Sequence, residues 1–233
     1  MNDFFLIHSG LEREGPGDRA SLDRAVAGIA PQGRICDAGC GPGADVAGLL
    51  AHVPQGHVHA IDLHPPFVAA VRARFAGDPR VTAEVADMTA LRGPYDLIWS
   101  AGAVYGPGIP AALACWRRAL APGGRVAFSH LCWTGTARPP DAAAFWAEEF
   151  PAMADRAAAE AEITAAGWRV LDTWTLPPAA WAAYYAPLEA RLDALAPDAD
   201  AGLAAAIAAH RREIAVWRAH GDSFGYVMFV AAA

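Results

Sequence analysis

Asp37 stands just before a glycine-rich bend, Gly39-Cys40-Gly41-Pro42-Gly43. Before the bend, Arg34-Ile35-Cys36-Asp37-Ala38 reads as a short strand. After it, Val46, Leu49, Leu50 and Val53 recur at helical spacing. Glycines in such a turn let the chain reverse sharply and let a ligand approach the backbone. In an open α/β sheet, ligands sit outside the carboxyl ends of the strands, where this bend falls. Asp62 follows 19 positions after Gly43, at the end of the next strand. A carboxylate there can accept both hydroxyls of a ribose. Asp87, at the end of a third strand, suits the amino group of an adenine. Acids at three successive strand ends suit a cationic nucleoside that carries no phosphate.

The same residues satisfy a competing pattern. Gly39-x-Gly41-x-x-Ala44 matches the dinucleotide fingerprint G-x-G-x-x-G/A. An NAD-dependent oxidoreductase on a similar sheet is therefore the alternative enzyme, and a non-catalytic binding protein the alternative outside enzymes. Two features weigh against a pyrophosphate. Asp37 would repel it, and Pro42 removes an N–H donor from the loop.

Composition narrows the chemistry further. The chain has 233 residues, a 55% hydrophobic fraction and 18% charged residues, which suits one domain with a full core. Its net charge of −7 argues against a nucleic-acid partner. All 18 basic residues counted as Lys+Arg are arginine. Without lysine there is no Schiff base, no G-x-x-x-x-G-K-[ST] phosphate loop and no Tyr-Lys dehydrogenase pair. Cys36, Cys40, Cys115 and Cys132 form no C-x-x-C pair. The start of the sequence has no basic, apolar leader, and no apolar run is long enough to span a bilayer. Disulfides are not expected, and the expected location is the cytoplasm.

Five strands alternate with helices through residue 131: Arg34 to Ala38, His57 to Ile61, Arg80 to Val85, Tyr95 to Ser100 and Arg125 to Leu131. Such alternation predicts a doubly wound parallel sheet with helices on both faces. Asp18 or Ser21 is the expected cap of a helix running to about Ile29. Phe4 to Gly17 reads as irregular, and residues 1–32 together as an N-terminal lid and helix. Past residue 131 the pattern changes. Pro139 to Gly167 reads as helical, Trp168 to Thr175 as a strand, Pro177 to His220 as helices and Phe224 to Val230 as the last strand. The whole chain, 1–233, reads as a single domain with substrate-side elements over 132–222. These include a helical insertion, 176–222, before the last strand.

In order and spacing, Asp37 to Gly43, Ala60-Ile61-Asp62, Val85-Ala86-Asp87-Met88, Tyr95 to Ser100 and Arg118 to Val126 resemble class I S-adenosylmethionine-dependent methyltransferases of the ubiquinone- and menaquinone-biosynthesis type. The opening His8 to Gly17 looks like that of a group of small bacterial methyltransferases. The resemblance implies a Rossmann-like seven-stranded sheet whose last strand is antiparallel. It also implies S-adenosyl-L-methionine as cofactor, S-adenosyl-L-homocysteine as its product and a small-molecule substrate. No membrane insertion is implied, and a homodimer is compatible with it. Asp37, Gly39, Cys40 and Gly41 would contact the methionine part. Asp62 would hold the ribose with Leu63 packing nearby, and Asp87 and Met88 would frame the adenine. Ser100 and Ala101 would line the crevice near the sulfonium. Ala44 departs from the hydroxyl residue often found after the loop.

Methyl transfer needs an aligned nucleophile, and a base where that nucleophile is protonated. His130, at the end of the fifth strand, is the expected base. Tyr105, in the loop after strand four, and His8, in the lid, are the other catalytic candidates. Trp133, Trp146, Trp181, Tyr184 and Tyr185 could wall a pocket or pack the inserted helices. Glu148 and Glu149 could meet a substrate cation. His52, His57, His59 and His64 have loop-like spacings, so no metal site is expected.

Overall fold

A computed structural model describes residues 3–233. Its sheet has seven strands in the order β3-β2-β1-β4-β5-β7-β6. They are β1 (Arg34–Ala38), β2 (His57–Asp62), β3 (Val81–Val85), β4 (Tyr95–Ser100), β5 (Leu120–Trp133), β6 (Arg169–Thr175) and β7 (Phe224–Ala232). The first five pair in parallel, and β7 runs antiparallel between β5 and β6. This is the expected doubly wound, Rossmann-like sheet with its antiparallel last strand.

The central strands form because both of their faces are covered. Ile35, Cys36, Leu97 and Ile98 are fully buried, as the near-continuous apolar runs of a parallel sheet require. On one face α5 (Ile109–Trp116) sets Leu113 and Trp116 against Ile98 and Phe128. On the other, α2 (Arg19–Val26) and α3 (Val46–His52) bring Leu22, Val26 and Leu49 onto Ile35 and Leu97. Burying a side chain as large as Trp116 contributes about 3–5 kcal/mol relative to Ala. Asp18 caps α2 by accepting from the Ser21 N–H, so that helix starts where expected. It ends at Val26, three residues early, where Gly28 turns the chain with φ +84.

The remaining helices are α4 (Pro65–Arg74), α6 (Pro140–Glu149), α7 (Arg156–Ala165), α8 (Pro178–Leu195) and α9 (Ala201–His220). The long pair α8 and α9 lies between β6 and β7, as the insertion predicts. Two expectations need correction. The stretch read as irregular opens with a helix, α1 (Asp3–His8), whose Ile7 is fully buried in the cluster built by α6, α8 and α9. β5 is longer at both ends than expected, because β7 pairs with it continuously from Arg125 to Trp133 and Leu120 pairs with Tyr95. Among the described residues no helix is long and apolar enough to cross a membrane.

Candidate active site

The bend after β1 folds back on β2. Gly39 and Cys40 both donate to the Ile61 carbonyl at 2.9 Å, and Gly41 donates to Asp62 Oδ2 at 2.9 Å. Gly39 has φ +76, and a Cβ on it would meet the Ala103 methyl at 2.5 Å and Met88 Cε at 3.1 Å. Only glycine fits there, since the backbone is left-handed and its neighbours already fill the space. Asp62 Oδ1 accepts from the His64 N–H at 2.8 Å. One carboxylate thus ties the glycine bend to the start of α4, and each of its oxygens keeps a lone pair for a ligand.

These elements open into a cavity of about 1010 Å³ at the carboxyl ends of the strands. Asp37, Gly39, Cys40, Gly41, Asp62, Leu63, Asp87, Met88, Ala101, Tyr105 and His130 all line it, so residues from five strand ends meet in one space. Asp37 is 2% exposed, and its Oδ2 has no hydrogen-bond partner. Burial, then the charges of Asp45 and Asp62, hold its carboxyl well above the ordinary range, with Arg13 pulling the other way. An unpaired buried acid beside a cavity calls for a cation. Asp87 Oδ1 accepts from the backbone and hydroxyl of Thr89, which fixes the carboxylate at the rim and lowers its pKa. Trp116 Nε1 donates to the Met88 carbonyl at 2.9 Å and so fixes the neighbouring backbone.

Two expected site residues stand behind the wall. Ser100 is fully buried and its hydroxyl donates to the Ala38 carbonyl at 2.7 Å, so it clamps β4 to β1 and does not face the crevice. His8 is 2% exposed. Its Nδ1 lies 2.6 Å from Glu14 Oε2 and its Nε2 lies 3.1 Å from His210 Nε2, both spent on protein partners. His130 does line the cavity, edge-on to Phe150, but burial pushes it down to about 4. The ring is therefore held in its neutral form, able to accept a proton but as a weaker base than an exposed histidine. Tyr105 is 63% exposed at the mouth.

Of the aromatic candidates, Trp146 and Tyr184 line the cavity. Trp133, Trp181 and Tyr185 pack around Phe224 in the cluster beneath α8 and α9. Glu149 lines the cavity, whereas Glu148 pairs with Arg212 at 2.7 Å on the outer face. The four clustered histidines part company. His52 meets Asp23, His57 meets Thr82, His59 meets Tyr95, and His64 stacks on Phe5 at 3.7 Å. No group of three metal-ligating side chains occurs among the described residues.

The sequence reading missed several wall residues. Arg13 lines the cavity and bonds Asp45 at 2.8 Å, and the Trp99 indole fixes the other oxygen of Asp45. Phe5 and Glu14 come from the N-terminal segment, Glu213 from α9 and Tyr226 from β7. No local pattern marks them, because they lie up to 221 positions apart and meet only through the topology.

Comparison with known proteins agrees with this geometry. Residues 35–124 match the family described as methyltransferase domain. A malonyl-[acyl-carrier protein] O-methyltransferase of Dechloromonas aromatica (strain RCB) is 31% identical over 135 residues, which is 54% of this chain and 50% of that protein. A trans-aconitate 2-methyltransferase of Acidovorax sp. (strain JS42) is 31% identical over 121 residues, 52% of this chain and 46% of that one. The chain spans about half the length of the curated relatives it matches. The crystal structure of a SAM-dependent methyltransferase from Geobacter sulfurreducens in complex with S-adenosyl-L-homocysteine superposes with a TM-score of 0.82 at 20% identity, covering 100% of this chain and 98% of that one. Residues 35–124 are thus similar to a methyltransferase domain, and the fold of the chain is the one that the Geobacter sulfurreducens structure has.

Proposed function

We propose that the protein is an enzyme that holds S-adenosylmethionine in this crevice and methylates a small molecule, with S-adenosylhomocysteine as the second product. The observation that carries this reading is Asp37, a buried carboxyl with an unpartnered oxygen. It stands beside a bend whose leading N–H groups are already bonded to Ile61 and Asp62. That arrangement offers a place for an ammonium group and few donors for a pyrophosphate, which counts against a nicotinamide dinucleotide.

The residues fit the cofactor part by part. Asp37 faces its ammonium, and Arg13, the guanidinium on the cavity wall, meets its carboxylate. Gly39, Cys40 and Gly41 let the methionine chain lie against the backbone. Asp62 accepts the ribose hydroxyls with Leu63 alongside, and Asp87 and Met88 frame the adenine. When bound, the cofactor supplies a methyl carbon already activated by a positive sulfur. The protein's task is to orient the acceptor, to remove a proton where one must go and to keep water out. Of the lid expected over residues 1–32, the first two lie outside the described residues; residues 3–32 act as the lid, α1 roofing the cavity with Phe5 stacked on His64 at its edge.

The relatives' names give malonyl-[acyl-carrier protein] and trans-aconitate methyltransferases. For this chain the proposal is a free small acceptor, and the net charge of −7 supports that over nucleic acid. Four free cysteines support a reducing, cytoplasmic setting. A crystal grown with S-adenosylhomocysteine tests the reading. Adenine beside Asp87 and ribose on Asp62 are expected; density elsewhere, or a cavity closed by side chains, would refute it.

A further inference from the structure

The part of the cavity away from the glycine bend has a distinct chemistry. It is walled by Trp146 and Phe150 of the α6 region, Tyr184 of α8, Tyr226 of β7 and the carboxylates Glu14 and Glu213. Tyr184 is 7% exposed, yet its hydroxyl makes no hydrogen bond to any described residue and opens on the cavity. Glu213 accepts from the Tyr185 hydroxyl at 2.8 Å through Oε1, and its other oxygen has no protein partner among the described residues. Burial raises the Glu213 carboxyl. The charges of Glu213 and Glu14 help hold the Tyr184 phenol up, so the three stand close together.

The positive groups that act on Glu213 are the His210 and His8 rings, which draw its carboxyl down against burial, and no guanidinium pairs with it. Arg13 is tied to Asp45 and to the Gly15 carbonyl at the cofactor end. His130 is neutral. The guanidinium that follows Glu213 in sequence, Arg212, faces outward to Glu148. Glu213 holds one phenol hydrogen bond and no direct ion pair, so a ligand that completes it is favoured. Aromatic faces around it favour an organic cation for the same electrostatic reason. An anionic acceptor would meet Glu14, Glu149 and Glu213 with no free guanidinium to offset them.

We propose that the methyl acceptor is a small organic amine, bound as its ammonium between Glu213, Glu14 and the faces of Tyr184 and Trp146. The proposal rests on the methyl-transfer reading above and names its substrate class. An ammonium nitrogen has no lone pair, so it must first lose a proton. The proton would pass to a chamber carboxylate, which becomes a neutral acid, and the N–H bonding pair would stay on nitrogen to form the new N–C bond as the donor's methyl–sulfur bond breaks, its pair leaving on sulfur.

Calorimetry on protein saturated with S-adenosylhomocysteine tests this, using benzylamine, dimethylamine and 2-aminoethanol against benzoate and glycolate. At least one amine should bind, and neither carboxylate should. Glu213→Gln should weaken the amine about tenfold or more, as loss of a charged hydrogen bond does. It should leave S-adenosylhomocysteine affinity intact. Tyr184→Phe, which keeps the ring, should weaken the amine by a smaller factor and serves should Glu213→Gln fold poorly. Binding of a carboxylate in preference, binding of no amine, or amine affinity indifferent to both substitutions would overturn the proposal. Failure of S-adenosylhomocysteine itself to bind would strike the methyl-transfer reading instead.

Discussion

His8 Nε2 lies 3.1 Å from His210 Nε2, and this contact fastens α1 to α9. The hydrogen bonds on either side fix what it must be. His210 Nδ1 meets the Ala206 carbonyl at 2.8 Å and therefore carries a hydrogen. In the neutral tautomer its Nε2 then accepts, so His8 donates from Nε2. The 2.6 Å gap between His8 Nδ1 and Glu14 Oε2 also needs a proton, from the ring or from the carboxyl. The three groups are satisfied together when they share one proton beyond two neutral rings and a free carboxylate. The carboxyl-terminal end of α1 is thus held by this polar contact and by the buried Ile7 beside it.

Cutting that contact should loosen α1. His8→Ala leaves Glu14 and His210 without a shared partner in a buried setting, at a cost of about 1–3 kcal/mol. Urea denaturation should show the loss. A double variant with His210→Ala should cost less than the sum of the single changes, since both act on one network. Strict additivity would mean that the two rings do not interact in solution.

Gly39→Ala should damage both fold and site. The new methyl demands a left-handed conformation and strikes Ala103. Strain of about 1–3 kcal/mol is expected, read as a lower melting temperature, with S-adenosylhomocysteine binding lost. A variant that melts and binds like the parent would show that the bend is not the constrained cradle described here.

Asp62→Ala removes the acceptor that holds Gly41 and His64 as well as the proposed ribose contact. Affinity for S-adenosylhomocysteine should fall by about 1–3 kcal/mol. Calorimetry measures it directly, and unchanged affinity would remove the ribose role.

Asp37 makes the site sensitive to pH. Its carboxyl is raised in the folded protein by burial and by Asp45 and Asp62. The contribution of this one group to the stability of the free protein is therefore greatest at low pH. It is lost as pH climbs above the ordinary carboxylate range near about 4. A ligand bearing an ammonium prefers the ionised acid, so binding releases a proton and affinity should rise with pH over the same range. Asp37→Asn should bind more weakly and with a flatter pH profile. A profile that keeps its slope in the variant would assign the titration to another group.

The sheet was legible because its strands carry their burial in their composition. Leu97-Ile98 has to be covered on both faces, and Pro65 and Asp18 mark helix starts by their local chemistry. The glycine-bend end of the cavity was legible for a related reason: Asp37, Asp62 and Asp87 fall at or just past strand ends, where topology makes neighbours of them. α1 was not legible. Six residues give no helical period to read, and such a short helix is held by docking rather than by propensity. Ser100 and His8 were placed by residue type, which says nothing of which way a side chain turns. Arg13, Glu14, Tyr184, Glu213 and Tyr226 share one wall only after α8, α9 and β7 return across the sheet, and no spacing records that return.

Titration calorimetry with S-adenosylhomocysteine and, separately, NADH puts the central claim at greatest risk. Saturable binding of S-adenosylhomocysteine, abolished by Gly39→Ala and weakened by Asp62→Ala, is predicted, with no heat from NADH. Binding of NADH with none of S-adenosylhomocysteine would contradict the account.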